Sequence, residues 1–106
     1  MYIRSFLQDK EMTITLSGEI DHHEGKHAMK TIGEKIDANL PRVCILDFRD
    51  VTFMDSSGIA IVVAAVRRMR QLEGRLVICH VQPQPMRVFQ AAGIGQIAEI
   101  RGGEKV

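Results

Sequence analysis

The chain opens with two segments in which apolar and polar side chains alternate. In the second segment the apolar positions are Met12, Ile14 and Leu16. A period of two is typical of a β-strand with one buried face. Asp9 and Lys10, between the two segments, predict a tight turn. The sequence therefore predicts an opening β-hairpin.

From His22 onward the period lengthens to that of an amphipathic helix. The apolar residues recur at every fourth position, and they are Ala28, Ile32, Ile36 and Leu40. Asp21 is placed to cap the start of this helix, and Pro41 to end it. The pattern therefore predicts one long helix with a single apolar stripe.

The second half of the chain alternates short apolar strands with helices. Strands are predicted at 43–46, 76–81 and 97–100, and helices at 56–72 and 86–92. Pro85 should begin the last helix, and Gly74 and Gly93 should end the last two helices. The tail after residue 101 is expected to be loose. This order predicts a single α/β domain over 1–106, with a mixed β-sheet in which the hairpin precedes alternating helices and strands.

Composition narrows the classes of function. The 106 residues carry a net charge of +1 and no Trp, with only 5% aromatic residues. Neither a nucleic acid partner nor an anionic membrane is indicated. The sequence shows no apolar signal segment and no run long enough to span a bilayer, so we expect a cytoplasmic protein. Cys44 and Cys79 lie within apolar runs, which indicates two reduced core thiols.

The segment 48–59 holds the main candidate chemistry. It places Ser56 and Ser57 at a predicted helix start, where backbone N–H groups and the helix dipole favour an added phosphate. The alternative interpretation is that a serine here only caps the helix.

Two other kinds of site are weaker. His23 and His27 could share a helix face as metal ligands, but no nearby cysteine completes a set, so no metal or other cofactor is predicted. Asp55 and Ser56 could be combined with a histidine into a hydrolytic set, but the nucleophile-elbow and Walker-type motifs of enzymes are lacking. We therefore expect a protein that is not an enzyme.

Three segments carry a family resemblance: Gly-Glu-Ile-Asp-His-His at 18–23, the stretch 47–59 with Phe-Met-Asp-Ser-Ser-Gly, and Arg-Val-Phe-Gln-Ala-Ala-Gly-Ile at 87–94. They resemble the STAS-domain anti-sigma factor antagonists of bacteria, particularly the sporulation type. The resemblance covers nearly the whole chain and implies a STAS-like fold. Such proteins usually continue into a fourth helix after the last strand, and this sequence predicts none.

The resemblance implies a phosphorylation switch in transcription regulation, in a sporulation or stress response. The unphosphorylated form would bind an anti-sigma factor that is also a serine kinase, and thereby free a sigma factor. The kinase would phosphorylate Ser56, and a PP2C-type phosphatase would reverse this. The implied partner-binding residues are Asp21, Met54, Asp55, Ser56, Ser57, Gly58 and Ile59. A monomer is expected.

An alternative within the same fold changes the class of function. The chain could be a structural STAS module of a transport or scaffold complex, in which Ser56 is not phosphorylated and serves only as a helix cap.

Overall fold

The computed structural model describes residues 1–101, in which one five-stranded sheet is combined with three α-helices. The strands are β1 (Tyr2–Gln8), β2 (Glu11–Ser17), β3 (Val43–Asp50), β4 (Arg75–Cys79) and β5 (Glu99–Ile100). The helices are α1 (His22–Asn39), α2 (Ser57–Gln71) and α3 (Pro83–Ala91), with a 3-10 turn at Ile94–Gln96. The predicted order of strands and helices is confirmed.

The sheet is mixed, as predicted, and its strand order is β1-β2-β3-β4-β5. β1 pairs with β2 in the antiparallel sense, and the other neighbours are parallel. In the hairpin turn Asp9 and Lys10 have φ values of 53° and 67°. Two positive φ values give the turn a twist that matches the twist of its strands, which explains why two residues suffice to reverse the chain.

The core lies between one face of the sheet and the helices. Met12, Leu46 and Ile78 bring strand side chains into it, and Ile32 and Val62 bring side chains from α1 and α2. The alternate strand positions point to the other side of the sheet, because successive side chains in a strand face opposite ways. We call that side the second face of the sheet, and it carries Thr13, Ile45, Asp47 and Cys79.

Among the helix boundaries that differ from the prediction, two involve proline. Leu40 was expected to complete the apolar stripe of α1, but it caps the helix with φ 48° and is 57% exposed. A residue before a proline is disfavoured in the helical region, so α1 ends at Asn39, before Pro41. α3 starts at Pro83 rather than at Pro85. Both prolines fit the first turn, where backbone N–H groups need no partner within the helix.

Four further expectations are corrected or left open. β1 buries little, because it is the edge strand, and only Ile3 packs partly against the core. The last predicted strand shrinks to two residues, Glu99–Ile100. Cys44 is fully buried, whereas Cys79 is only partly buried on the second face, so the prediction of a core thiol is wrong there. The expectation for the tail falls on 102–106, outside the described residues.

Candidate functional site

The connection from β3 to α2, residues 51–56, is anchored against the connection from β2 to α1. The backbone N–H of Ile20 donates a hydrogen bond to the carbonyl oxygen of Phe53, and the N–H of Asp55 donates one to the carbonyl oxygen of Ile20. The N–O distance is 3.0 Å in both bonds. The side chains of Val51 and Met54 are fully buried in the hydrophobic core and anchor the connection to it. We call residues 51–56 the site loop.

The site loop is held from a second side by α3. The side-chain amide of Gln84 accepts a hydrogen bond from the backbone N–H of Met54, at an N–O distance of 2.9 Å. It also donates a hydrogen bond to the carbonyl oxygen of Met54, at 3.0 Å. One amide thus satisfies both backbone groups of Met54, in place of a neighbouring strand. Sequence analysis did not identify Gln84, because nothing in its local pattern marks a side chain that bonds across the fold.

Asp55, rather than Ser56, caps α2. The Asp55 carboxylate accepts a hydrogen bond from the backbone N–H of Ser57, at an N–O distance of 2.8 Å. The backbone carbonyl of Asp55 accepts one from the N–H of Gly58, at 3.0 Å. Hydrogen bonds from the backbone and side chain of Ser57, with a smaller effect of His22, lower the pKa of Asp55 from its usual value. Ser56 makes no side-chain capping bond, so the helix start is satisfied without its hydroxyl.

The two serines of the pair occupy different environments. Ser56 is exposed, whereas Ser57 is partly buried against α1. A Cβ placed on Gly25 of α1 would lie only 2.6 Å from the Cβ of Ser57, which shows how closely the two helices approach there. The geometry therefore presents Ser56 to solvent and holds Ser57 between the site loop and α1.

Asp21 lies at the same edge of the molecule. Its exposed carboxylate caps α1 by accepting a hydrogen bond from the backbone N–H of Glu24, at an N–O distance of 2.8 Å. Ile20, the residue before it, pairs with Met54 in an isolated parallel bridge. The structure therefore brings Asp21 close to the site loop.

The other implied partner-binding residues divide into two groups. Met54 is fully buried, and Gly58 is buried against its sulfur atom, so both shape the loop from inside. Asp55 and Ile59 are partly exposed beside Ser56. Phe53, which was not among the predicted site residues, leaves 45% of its surface exposed on the same loop.

A shallow groove continues this surface from the first turn of α2 towards α3. Ile59, Gln84, Arg87 and Val88 contribute to its lining. Ile59 in the first turn of α2 and Phe53 on the site loop, each three residues from Ser56, provide apolar area near that serine. A partner that contacts Ser56 could therefore also bury apolar surface here.

Among the described residues, no third donor group joins the histidine pair that the sequence analysis considered as metal ligands. His23 and His27 are both exposed near the start of α1. Within residues 1–101, the group of side chains with donor atoms close enough for one metal ion is Asp47, Cys79 and His80, on the second face of the sheet. None of the described helices is both long and apolar enough to cross a membrane.

The fold and this loop define a small α/β domain with an exposed serine at a helix start. Residues 3–104 match the model of the STAS domain family, and the chain belongs to that family.

Named relatives match this chain over most of their length. The anti-sigma F factor antagonist of Paenibacillus polymyxa is 28% identical over 88% of this chain and 80% of the relative. That of Lysinibacillus sphaericus is 31% identical over 79% of this chain and 72% of the relative. The unphosphorylated structure of the anti-sigma factor antagonist SpoIIAA superimposes with a TM-score of 0.82, at 26% identity, covering 98% of this chain and 90% of SpoIIAA. The phosphorylated form of Bacillus SpoIIAA gives 0.74, also at 26% identity, covering 98% and 93%.

Proposed function

We propose that this chain is an anti-sigma factor antagonist whose unphosphorylated form binds an anti-sigma factor and thereby frees a sigma factor. The observation that carries the proposal is the position of Ser56. Its side chain is exposed, makes no capping hydrogen bond to α2, and lies on a loop that is anchored from two sides. The relatives named above support it, since they are anti-sigma factor antagonists. In this proposal the chain acts in the cytoplasm as a monomer and has no catalytic activity of its own.

Phosphorylation of Ser56 switches binding off in this proposal. The partner is a serine kinase as well as an anti-sigma factor, and a PP2C-type phosphatase restores the free hydroxyl. The choice of Ser56 over Ser57 rests on exposure, since Ser57 is partly buried against Gly25. SpoIIAA has been solved in both phosphorylated and unphosphorylated forms, which supports a switch of this kind.

The physical effect of the phosphate is a change of surface charge. A phosphoserine carries about −1.5 to −2 charges at neutral pH. It would lie beside the carboxylate of Asp55 and near that of Asp21, both of which are on the same surface. Desolvation and repulsion of about 3 kcal/mol in a docked interface correspond to a loss of affinity of roughly 100-fold.

The proposed docking surface combines charge with apolar area. Asp21 and Asp55 provide the carboxylates, and Phe53 and Ile59 provide apolar contact on either side of Ser56. Exposed aromatic side chains at the centre of an interface often contribute much of its binding free energy. This surface is formed by the site loop and the starts of α1 and α2, all of which are fixed by backbone hydrogen bonds.

The alternative of a structural STAS module makes a different demand on Ser56. In that interpretation the serine serves only as the cap of α2, but the capping bond comes from Asp55. The free hydroxyl therefore favours the phosphorylation switch over the structural module.

A capture experiment from the source cells tests the proposal. Wild type and the Ser56→Asp variant serve as parallel baits, and Ser5→Asp is the matched control because Ser5 is an exposed serine on β1. We expect wild type and Ser5→Asp to capture an ATP-binding anti-sigma factor and Ser56→Asp to lose it.

Calorimetry with the purified partner then gives the size of the effect. Ser56→Asp should weaken binding by roughly 100-fold, and Ser56→Ala should bind like wild type but accept no phosphate. Equal affinity of all the variants, or capture of the same membrane or scaffold proteins by every bait, would refute the switch.

A further inference from the structure

Three potential metal ligands meet on the second face of the sheet, where β3 and β4 are paired. Asp47 and Cys79 are direct partners in the parallel register of the two strands. His80 follows Cys79 at the end of β4. Their donor atoms, a carboxylate oxygen, a thiol sulfur and an imidazole nitrogen, all lie within 4.8 Å of one another.

The backbone at His80 makes this grouping possible. Successive side chains of a strand point to opposite faces, so Cys79 and His80 would be separated if the strand continued. His80 instead adopts φ 57°, in the left-handed region. This conformation is uncommon for a residue with a side chain. The turn that it makes allows both side chains to face Asp47.

The distance between the two harder donors already suits a tetrahedral ion. The Nδ1 atom of His80 lies 3.2 Å from the Oδ1 atom of Asp47. Two ligands at about 2.1 Å from a tetrahedral zinc ion are separated by about 3.4 Å. An ion could therefore be bound between these two atoms, and the Cys79 sulfur, within 4.8 Å of both, would supply the third ligand.

From this geometry we propose that Asp47, Cys79 and His80 form a binding site for Zn²⁺. A thiolate and an imidazole select zinc over magnesium or calcium, which prefer oxygen ligands. Three protein ligands leave the fourth tetrahedral position to a water molecule. The site lies on partly buried strand residues, so two of its ligands are held by the sheet itself. The proposal does not depend on Ser56 or on the partner of the site loop.

Positive charge near the three ligands opposes the binding of a cation. A terminal nitrogen of the Arg49 guanidinium lies 3.3 Å from Nδ1 and 3.1 Å from Nε2 of His80. Burial, together with the Asp47 carboxylate, raises the pKa of the Cys79 thiol to about 11, although the positive charges of Arg49 and Arg101 act in the opposite direction. Arg49 is exposed, so its long side chain can swing into solvent when the ion binds. Its removal should therefore strengthen binding, which gives the proposal a gain-of-affinity test.

The test is a titration of the full chain with Zn²⁺ by calorimetry, and with Co²⁺ by absorption spectroscopy, under reducing conditions. We expect one ion per chain and a thiolate-to-cobalt charge-transfer band. Cys79→Ser should abolish the band and weaken Zn²⁺ binding by at least about 100-fold, because it removes a direct ligand. Asp47→Asn provides a second loss variant of similar shape, and Arg49→Gln should bind Zn²⁺ more tightly.

Two controls distinguish this site from other zinc-binding groups of the chain. Cys44→Ser, on the core side of β3, and the double variant His23→Gln/His27→Gln should both keep the charge-transfer band. Circular dichroism shows whether each variant is folded. The proposal is overturned if wild type shows no saturable Zn²⁺ binding, if folded Cys79→Ser keeps the band, or if the band is lost only in the histidine double variant.

Discussion

The contact between Gly25 and Ser57 should determine how closely α1 and α2 approach beside the site loop. In Gly25→Ala the new Cβ would lie 2.6 Å from the Cβ of Ser57. Carbon atoms in favourable contact are about 3.5–4.0 Å apart. Neither atom can retreat by rotation of a side chain, because each Cβ is fixed to a helix backbone. The helices must therefore separate by roughly 1 Å at the start of α2.

The magnitude follows from two opposing terms. Overpacking of this kind costs about 1–3 kcal/mol. Alanine recovers about 0.5–1 kcal/mol because it loses less conformational freedom in a helix than glycine does. We therefore expect Gly25→Ala to lower the free energy of unfolding by about 1–2 kcal/mol.

Gly33 provides a matched control on the same helix. A Cβ at this position would meet the guanidinium of Arg68 at 2.7 Å, the far end of a flexible side chain. Arg68 can move away at the expense of its surface ion pair with Asp37. Such a pair is worth about 0–1 kcal/mol. Gly33→Ala should therefore leave the free energy of unfolding near that of wild type, or raise it.

Urea unfolding of the two variants measures the difference, and the melting temperature gives a second readout. One kcal/mol corresponds to about 4–8 °C in a domain of about 100 residues. Ser57→Gly, which removes the opposing Cβ, should rescue part of the loss when combined with Gly25→Ala. A Gly25→Ala protein at least as stable as wild type, or equal losses at both glycines, would show that the close approach is not a constraint.

Two further predictions concern the anchors of the site loop. Gln84→Ala leaves both backbone groups of Met54 without their partner, so it should lower the free energy of unfolding by about 1–3 kcal/mol and speed hydrogen exchange of the Met54 amide. Gln90 is exposed on α3, and Gln90→Ala should change neither quantity. Asp55→Ala should lower the melting temperature at pH 7, unlike Asp50→Ala. Because the pKa of Asp55 is lowered in the fold, its contribution is complete above the ordinary Asp pKa and disappears as the pH falls through the lowered value, so melting curves across pH 2–7 should converge in acid. A constant difference would contradict this assignment.

The fold was predictable where side-chain periodicity is strong. The hairpin, α1 and the central strands follow from periods of two and four and from continuous apolar runs. The boundaries that differ were decided by backbone sterics, as at Leu40, where the proline that follows outweighs the apolar stripe. Only Glu99 and Ile100 of β5 pair with β4. No local sequence pattern determines how many residues such a pairing includes, so the length of β5 was not predictable.

The site was predictable only in part. The sequence locates Ser56 at a helix start, but it does not reveal that Asp55 provides the cap or that Gln84 braces the loop, because these bonds depend on loop geometry and on distant elements. Asp47 and Cys79 lie far apart along the chain and meet only through the parallel register of β3 and β4. The apolar run around Cys79 pointed to the core, whereas strand alternation turns its side chain to the second face.

The hydrogen bonds of the site loop also determine how a phosphate on Ser56 could act. The N–H groups of Ser57, Gly58 and Ile59, the first three of α2, are already bonded to Asp55 and Ser56. An anion at a helix start is normally held by such groups. Here a phosphate could use them only by breaking these bonds to Asp55 and Ser56, so it should remain on the surface while the anchored loop keeps its conformation. Under the proposed function, the switch therefore works by changing the charge that a partner meets, and it requires no refolding of the domain.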